Sequence, residues 1–217
     1  MKTFTAVMLC LLVALMPILG DWINLAPDAP MQLPQAPITK ETQVLDKEIS
    51  DPEPEPPYFP QVPLSDKLKH HIILECDKYG VPPVIVFALI KRETDYGRYN
   101  PKCDLSKDRY EGLGDSGKSY GIMQIQKHYY EKEMDLLGLT DLQDNFQNVT
   151  LGIYILRQRI EAFEAQYPTA AITCGLLAYN RGESGARKYI RTYGINEVSN
   201  DSYVKAILLE ANRIISH

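Results

Sequence analysis

The chain has 217 residues, 45% of them hydrophobic, enough for one domain of ordinary size with extensions. Its net charge of -5 is unevenly spread: residues 21–64 hold eight acidic residues against two lysines, whereas residues 65–217 hold twenty of each sign. That pattern carries no basic footprint for nucleic acid, and an acidic arm before a neutral domain excludes attraction to anionic lipid.

Lys2 and the apolar run from Phe4 to Leu19, ending at Gly20-Asp21, have the layout of a secretory signal. Ile18-Leu19-Gly20 matches the small-residue cleavage rule weakly, so residues 1–20 read as a signal peptide or a retained membrane anchor. Both readings export the rest of the chain. Cys10 lies inside this run and reads as a membrane-facing apolar residue. Residues 21–64 hold ten of the fifteen prolines. Such a segment cannot bury a core and reads as an acidic, Pro-rich linker.

The folded domain is expected over 65–217. Ser65 is a candidate N-cap for a helix with Leu68, Ile72, Ile73 and Cys76 on one face, ended by Gly80. Pro82 and Pro83 then open a second helix, apolar from Val84 to Ile90 and ending near Glu93. It is too apolar for a surface helix and too short for a membrane span. Residues 96–125 read as irregular, with a short hairpin. A helix follows from His128 to Leu137, stopped by Gly138. Asn148 is expected to open the clearest helix, with Val149, Ile153, Leu156, Ile160, Phe163 and Tyr167 in one stripe. Further helices are expected at Ala170–Tyr179, Gly185–Tyr193 and Ser202–Ile215, with Asn180 to Gly185 as a loop. The class is mainly α.

Cys76, Cys103 and Cys174 permit one disulfide and one free thiol, and their spacing matches no metal site. No local motif supports a catalytic thiol paired with His70, His71 or His128. No metal or organic cofactor is implied. Glu93 is different. A carboxylate carried to the edge of an apolar core is partly desolvated, which raises its pKa and suits it to acid catalysis. Taken alone it reads as one more exposed Glu; three downstream motifs change that.

Arg92-Glu93-Thr94, Gly121-Ile122-Met123-Gln124 and Ala178-Tyr179-Asn180-Arg181-Gly182 occur in that order. Asn148-Val-Thr-Leu-Gly152 lies between the last two, and Tyr203-Val204 follows them. Together they resemble the soluble lytic transglycosylase catalytic domain, a lysozyme-like family that cuts bacterial peptidoglycan. The resemblance covers roughly residues 68–214. Each motif alone is weak; the ordered set is specific.

The resemblance implies a lysozyme-like helical fold with Glu93 as the single catalytic acid and base. It implies that Gly121, Ile122, Met123 and Gln124 line the glycan cleft opposite Glu93. Tyr179 and Asn180 would face the carboxylate and the sugar, Thr94 takes the place of the usual Ser, and Tyr203 would sit near the acid. Taken alone, Met123 reads equally as core filler, Tyr179-Asn180 as a helix end and Tyr203 as core packing. Tyr96, Tyr99 and Tyr120 are candidate sugar-stacking rings. The implied reaction breaks the MurNAc–GlcNAc bond and leaves a 1,6-anhydro-muramyl end. The alternatives are a hydrolytic muramidase, with Asp95, Asp104, Asp108 or Asp115 as second carboxylate, and a non-catalytic glycan-binding module. The implied partners are peptidoglycan strands and an envelope-crossing apparatus of the secretion, conjugation or phage kind. The membrane is a partner through the N-terminal anchor alone.

Overall fold

A computed structural model describes residues 59–100 and 107–216. The expected signal or anchor over 1–20, the linker up to residue 58, Cys103 and Asp104 lie outside these residues. The fold is mainly α, as the patterning predicts. Helix α1 (Asp66–Tyr79) starts where Ser65 Oγ accepts from Leu68 N–H at 3.1 Å and ends at Gly80, whose N–H caps Asp77 and Cys76. Helix α2 (Pro83–Thr94) begins on its prolines and is buried from Ile85 to Ile90. Such burial requires cover on all sides. It comes chiefly from helix α6 (Ser202–Ile215), along with α1 and the segment before it. Phe59 sets its ring edge-on to Phe87 at 5.0 Å, and Val62 is buried. Residues 59–64, assigned to the linker on composition, therefore pack on the domain: Phe59, Val62 and Leu64 supply apolar anchors among the prolines.

Three two-residue strands, β1 (Leu113–Gly114), β2 (Ser119–Tyr120) and β3 (Ile125–Gln126), form an antiparallel sheet in that order. A 3-10 turn over 127–129 leads into α3 (Glu131–Leu137), stopped by Gly138. Helix α4 (Asn145–Glu164) begins three residues before the expected Asn148, because Asp144 accepts from Gln147 N–H at 2.9 Å and so takes the cap. Asn148 falls inside the helix with its side chain buried.

Helix α5 (Ala171–Tyr193) consists of two helical arms that meet at Gly182, as the two expected helices do, with the expected loop shortened to that one residue. The chain bends at Gly182 (φ 68°, ψ 162°) rather than opening into a loop, because one residue without a Cβ absorbs the whole change of direction. Helices α4 and α5 pack over the longest interface, with Gly175 facing Ile160. Among the described residues no helix is long and apolar enough to cross a membrane. Cys76 and Cys174 are buried free thiols.

A Cβ built at Gly175 would stand 3.0 Å from both Cα and N of Ile160, on a backbone that cannot step aside. Gly175→Ala is therefore expected to destabilise the domain by about 1–3 kcal/mol despite its better helix propensity, read as a lower urea midpoint with unchanged slope.

Candidate active site

Glu93 lies in the last turn of α2, where the apolar helix reaches the surface. Its neighbours separate by face: Arg92 is exposed, Glu93 half-buried and Thr94 buried. The Tyr203 hydroxyl, from the first turn of α6, donates to Glu93 Oε1. The Arg92 guanidinium stacks over the Tyr203 ring at 5.3 Å. Burial pushes the Glu93 carboxyl above its ordinary value of 4.5, and Asp115 adds to the rise. The Tyr203 hydrogen bond and Arg92 pull it partly back. The result is a carboxyl that holds its proton more tightly than a solvated Glu, as a general acid must.

Two hollows meet at Glu93 and Gln124. The larger, of about 800 Å³, is bordered by Asp115, Tyr130, Arg159, Tyr179 and Asn180. The smaller, of about 500 Å³, is bordered by Tyr99, Asn100, Tyr110 and residues 111–114. Glu93 thus borders both hollows.

The wall opposite Glu93 is the turn from Gly121 to Gln124, and three elements hold it. Thr94 Oγ1 donates to Ile122 O at 2.9 Å and accepts from Gly97 N–H at 3.1 Å. Asn148 Oδ1 accepts from Met123 N–H at 2.8 Å, while its amide donates to Tyr120 O and Leu142 O, both at 3.0 Å. The Tyr179 hydroxyl donates to Met123 O at 2.9 Å. Gly121 (φ 70°) sits so close that a Cβ there would strike the Asn148 amide. Gln124 takes a left-handed backbone (φ 50°) and donates to Gly121 O at 2.9 Å, which turns its side chain into the groove.

The residues expected at the site therefore divide. Glu93, Gln124, Tyr179 and Asn180 line the groove. Tyr203 touches Glu93 from beneath. Thr94, Ile122 and Met123 are buried, and Gly121 is buried with them, so these four support the wall and present no side chain to the groove. Of the candidate rings, Tyr99 lines the smaller hollow at 65% exposure, whereas Tyr96 is buried beside Glu210 and Tyr120 packs on the core. Of the candidate second carboxylates, Asp115 lines the larger hollow, fixed by Ser119 Oγ at 2.7 Å and Gln126 Nε2 at 3.2 Å. Asp95 pairs with Lys91 and Asp108 accepts from Ser65. Burial pushes the Cys76 thiol well up and that of Cys174 to about 11, so neither is a nucleophile. Tyr130, Glu133 and Arg159 also border the groove. Motif reading passes over them, since Arg159 shows there as one more charge off the apolar stripe of its helix.

The transglycosylase SLT domain family matches residues 71–201, and the chain belongs to that family. Peptidoglycan is accordingly its substrate, cleavage of the glycan its chemistry and the cell envelope its place of work. Lysozyme G of Dromaius novaehollandiae is 26% identical over 156 residues, which are 70% of this chain and 68% of that protein. Lysozyme g of Casuarius casuarius is equally similar over 70% of this chain and 75% of its own. Lysozyme g of Gallus gallus is 25% identical over 51% of this chain and 47% of its own.

A carboxyl with a raised folded pKa adds stability that is fully present below pH 4.5 and is lost as the pH climbs through the raised value. Glu93→Gln removes that loss. Its melting temperature is expected to exceed that of the wild type at pH 7, with the gap closing toward pH 4; a gap constant across this range would contradict the burial argument. Tyr203→Phe removes a donor to the ionised form, so Glu93 should keep its proton to higher pH. The alkaline limb of the cleavage profile is expected to move upward in this variant.

Proposed function

We propose that the chain is an exported lytic transglycosylase that breaks the MurNAc–GlcNAc bond of peptidoglycan with Glu93 as its single acid and base. The observation that carries this reading is Glu93 itself, a carboxyl pushed up by burial at the junction of two hollows. In the first half-reaction protonated Glu93 gives its proton to the leaving glycosidic oxygen while the muramyl ring takes up positive charge. The N-acetyl group of the same sugar assists from the opposite side. In the second half-reaction the Glu93 carboxylate takes the proton from the sugar's own 6-hydroxyl, whose oxygen bonds to the anomeric carbon. A 1,6-anhydro ring results, no water is consumed, and Glu93 is again protonated. Gln124, Tyr179 and Asn180 hold the glycan, and Tyr203 orients the carboxyl. Thr94, Gly121, Ile122 and Met123 serve by keeping the wall in place. Upstream, residues 1–20 act as a signal or anchor and residues 21–58 as a spacer. An export apparatus of the secretion, conjugation or phage kind is the partner that such an arrangement suits.

A hydrolytic muramidase is the second reading. It is favoured by Asp115, a carboxylate in the same hollow that would direct water at the anomeric carbon, and by the likeness to lysozymes g. Mass spectrometry of purified peptidoglycan treated with the enzyme separates the two. Muropeptides one water lighter than hydrolysis products, lost in Glu93→Gln and retained in Asp115→Asn, are expected. Reducing ends that vanish in both variants would establish the hydrolase instead. No cleavage by the unaltered enzyme would leave a glycan-binding role.

A further inference from the structure

Resting on the peptidoglycan reading, we propose that Arg159 is a specificity residue that binds a carboxylate carried by the muramyl unit, so that the groove prefers acidic peptidoglycan strands over neutral chitin-type glycan.

Arg159 projects from α4 into the larger hollow, which it shares with Glu93. Its Nη2 donates to the Tyr130 hydroxyl at 3.0 Å. Tyr130 is the residue on which α3 begins, so the guanidinium is positioned by an element other than its own. Among the described residues no carboxylate lies within ion-pair distance of it. The arginines around it differ. Arg157, two residues earlier, pairs with Glu161 at 2.8 Å and Glu164 at 2.7 Å. Arg181, which borders the same hollow, is neutralised by Asp201 at 2.7 Å.

A guanidinium has five N–H donors in a planar fork. One of those on Arg159 is spent on a neutral hydroxyl. The others, on a half-buried charge without a counter-ion, suit bidentate capture of a planar anion. The rest of the hollow repels such an anion, since Asp115 and Glu133 border it. Arg159 is the cation there that remains to offset them.

The shared chemistry is a carboxylate, and peptidoglycan offers two. One is the lactyl carboxyl of muramic acid, free where the stem peptide has been removed. The other is a carboxyl of the stem peptide where it remains. Neutral N-acetylglucosamine oligomers have neither.

The test uses the full chain in a Glu93→Gln background, so that binding is read without turnover, with and without Arg159→Gln. Three probes are titrated by calorimetry: a chitooligosaccharide, a glycan oligomer stripped of stems by an amidase, and a stem-bearing oligomer. The preference for carboxylate-bearing over neutral probe, taken as a ratio of Kd values, is expected to fall about tenfold in the variant. The salt dependence of Kd for those probes should become shallower, and Arg159→Lys should restore part of both effects. Loss with the stripped probe assigns the lactyl carboxylate; loss confined to the stem-bearing probe assigns the peptide. Weakening of all three probes by one factor, with unchanged salt slope, would overturn the inference and leave the peptidoglycan reading standing. If neither carboxylate-bearing probe bound the Glu93→Gln chain, both would be overturned.

Discussion

The structure depends on how the turn from Gly121 to Gln124 is held. A turn pressed into a helical core must find partners for its backbone groups, because each one left buried and unpaired costs about 1–3 kcal/mol. Here the partners are side chains from three helices. Thr94 takes the carbonyl of Ile122, Tyr179 that of Met123, and Asn148 accepts the N–H of Met123. One helix also carries Glu93 next to Thr94. Glu93 and a residue that grips the turn are therefore neighbours on one helix. The separated sequence motifs are one object in space, the parts of a single hydrogen-bonded clamp.

The clamp explains why residues of one motif play unlike parts. In Gly121-Ile122-Met123-Gln124, Ile122 and Met123 face inward and fix the turn, while Gln124, forced into a left-handed backbone, faces the groove. In Arg92-Glu93-Thr94 the helical step of about 100° per residue sends one side chain to solvent, one to the groove and one to the core. Pattern matching weights such positions alike. Burial separates them, and the separation alters what a substitution there would do: at Thr94 or Met123 it loosens the wall, at Gln124 it removes a contact.

Much of the fold was legible because its signals are local. Ser65 and Gly80 bound α1, the prolines open α2, and the Asp201 carboxylate caps the last helix just before Ser202, each by chemistry within a turn of the boundary. The errors came where a local signal had a rival. Asn148 looks like a cap, but Asp144 stands closer to the true start and leaves Asn148 free to hold the turn. The Asn180-to-Gly185 stretch has loop composition, and the helix does break there, but the break is confined to Gly182 because the flanking residues keep their helical turns. The site followed the same rule. Glu93, on its own helix one more exposed Glu, was picked out by the ordered motifs downstream of it. Arg159 and Tyr130 were not, because they lie 29 residues apart and meet only where α3 folds back on α4.

In the proposed reaction Glu93 is a compromise between two demands. To protonate a leaving oxygen it must hold its proton more tightly than a solvated Glu, and burial pushes its pKa in that direction. To return as a base it must release that proton readily, which Tyr203 and Arg92 assist by favouring the ionised form. A pure hydrophobic pocket would serve the first step and hinder the second. A fully solvated carboxyl would do the reverse. The opposed pulls on Glu93 therefore suit a single group working in both directions. Asp115 bears on the same balance: its charge raises Glu93, while its Oδ2 accepts from both Ser119 and Gln126. Asp115 therefore acts on Glu93 through its charge, and the proposal of one acid–base group rests on the opposed pulls at Glu93 rather than on any engagement of Asp115.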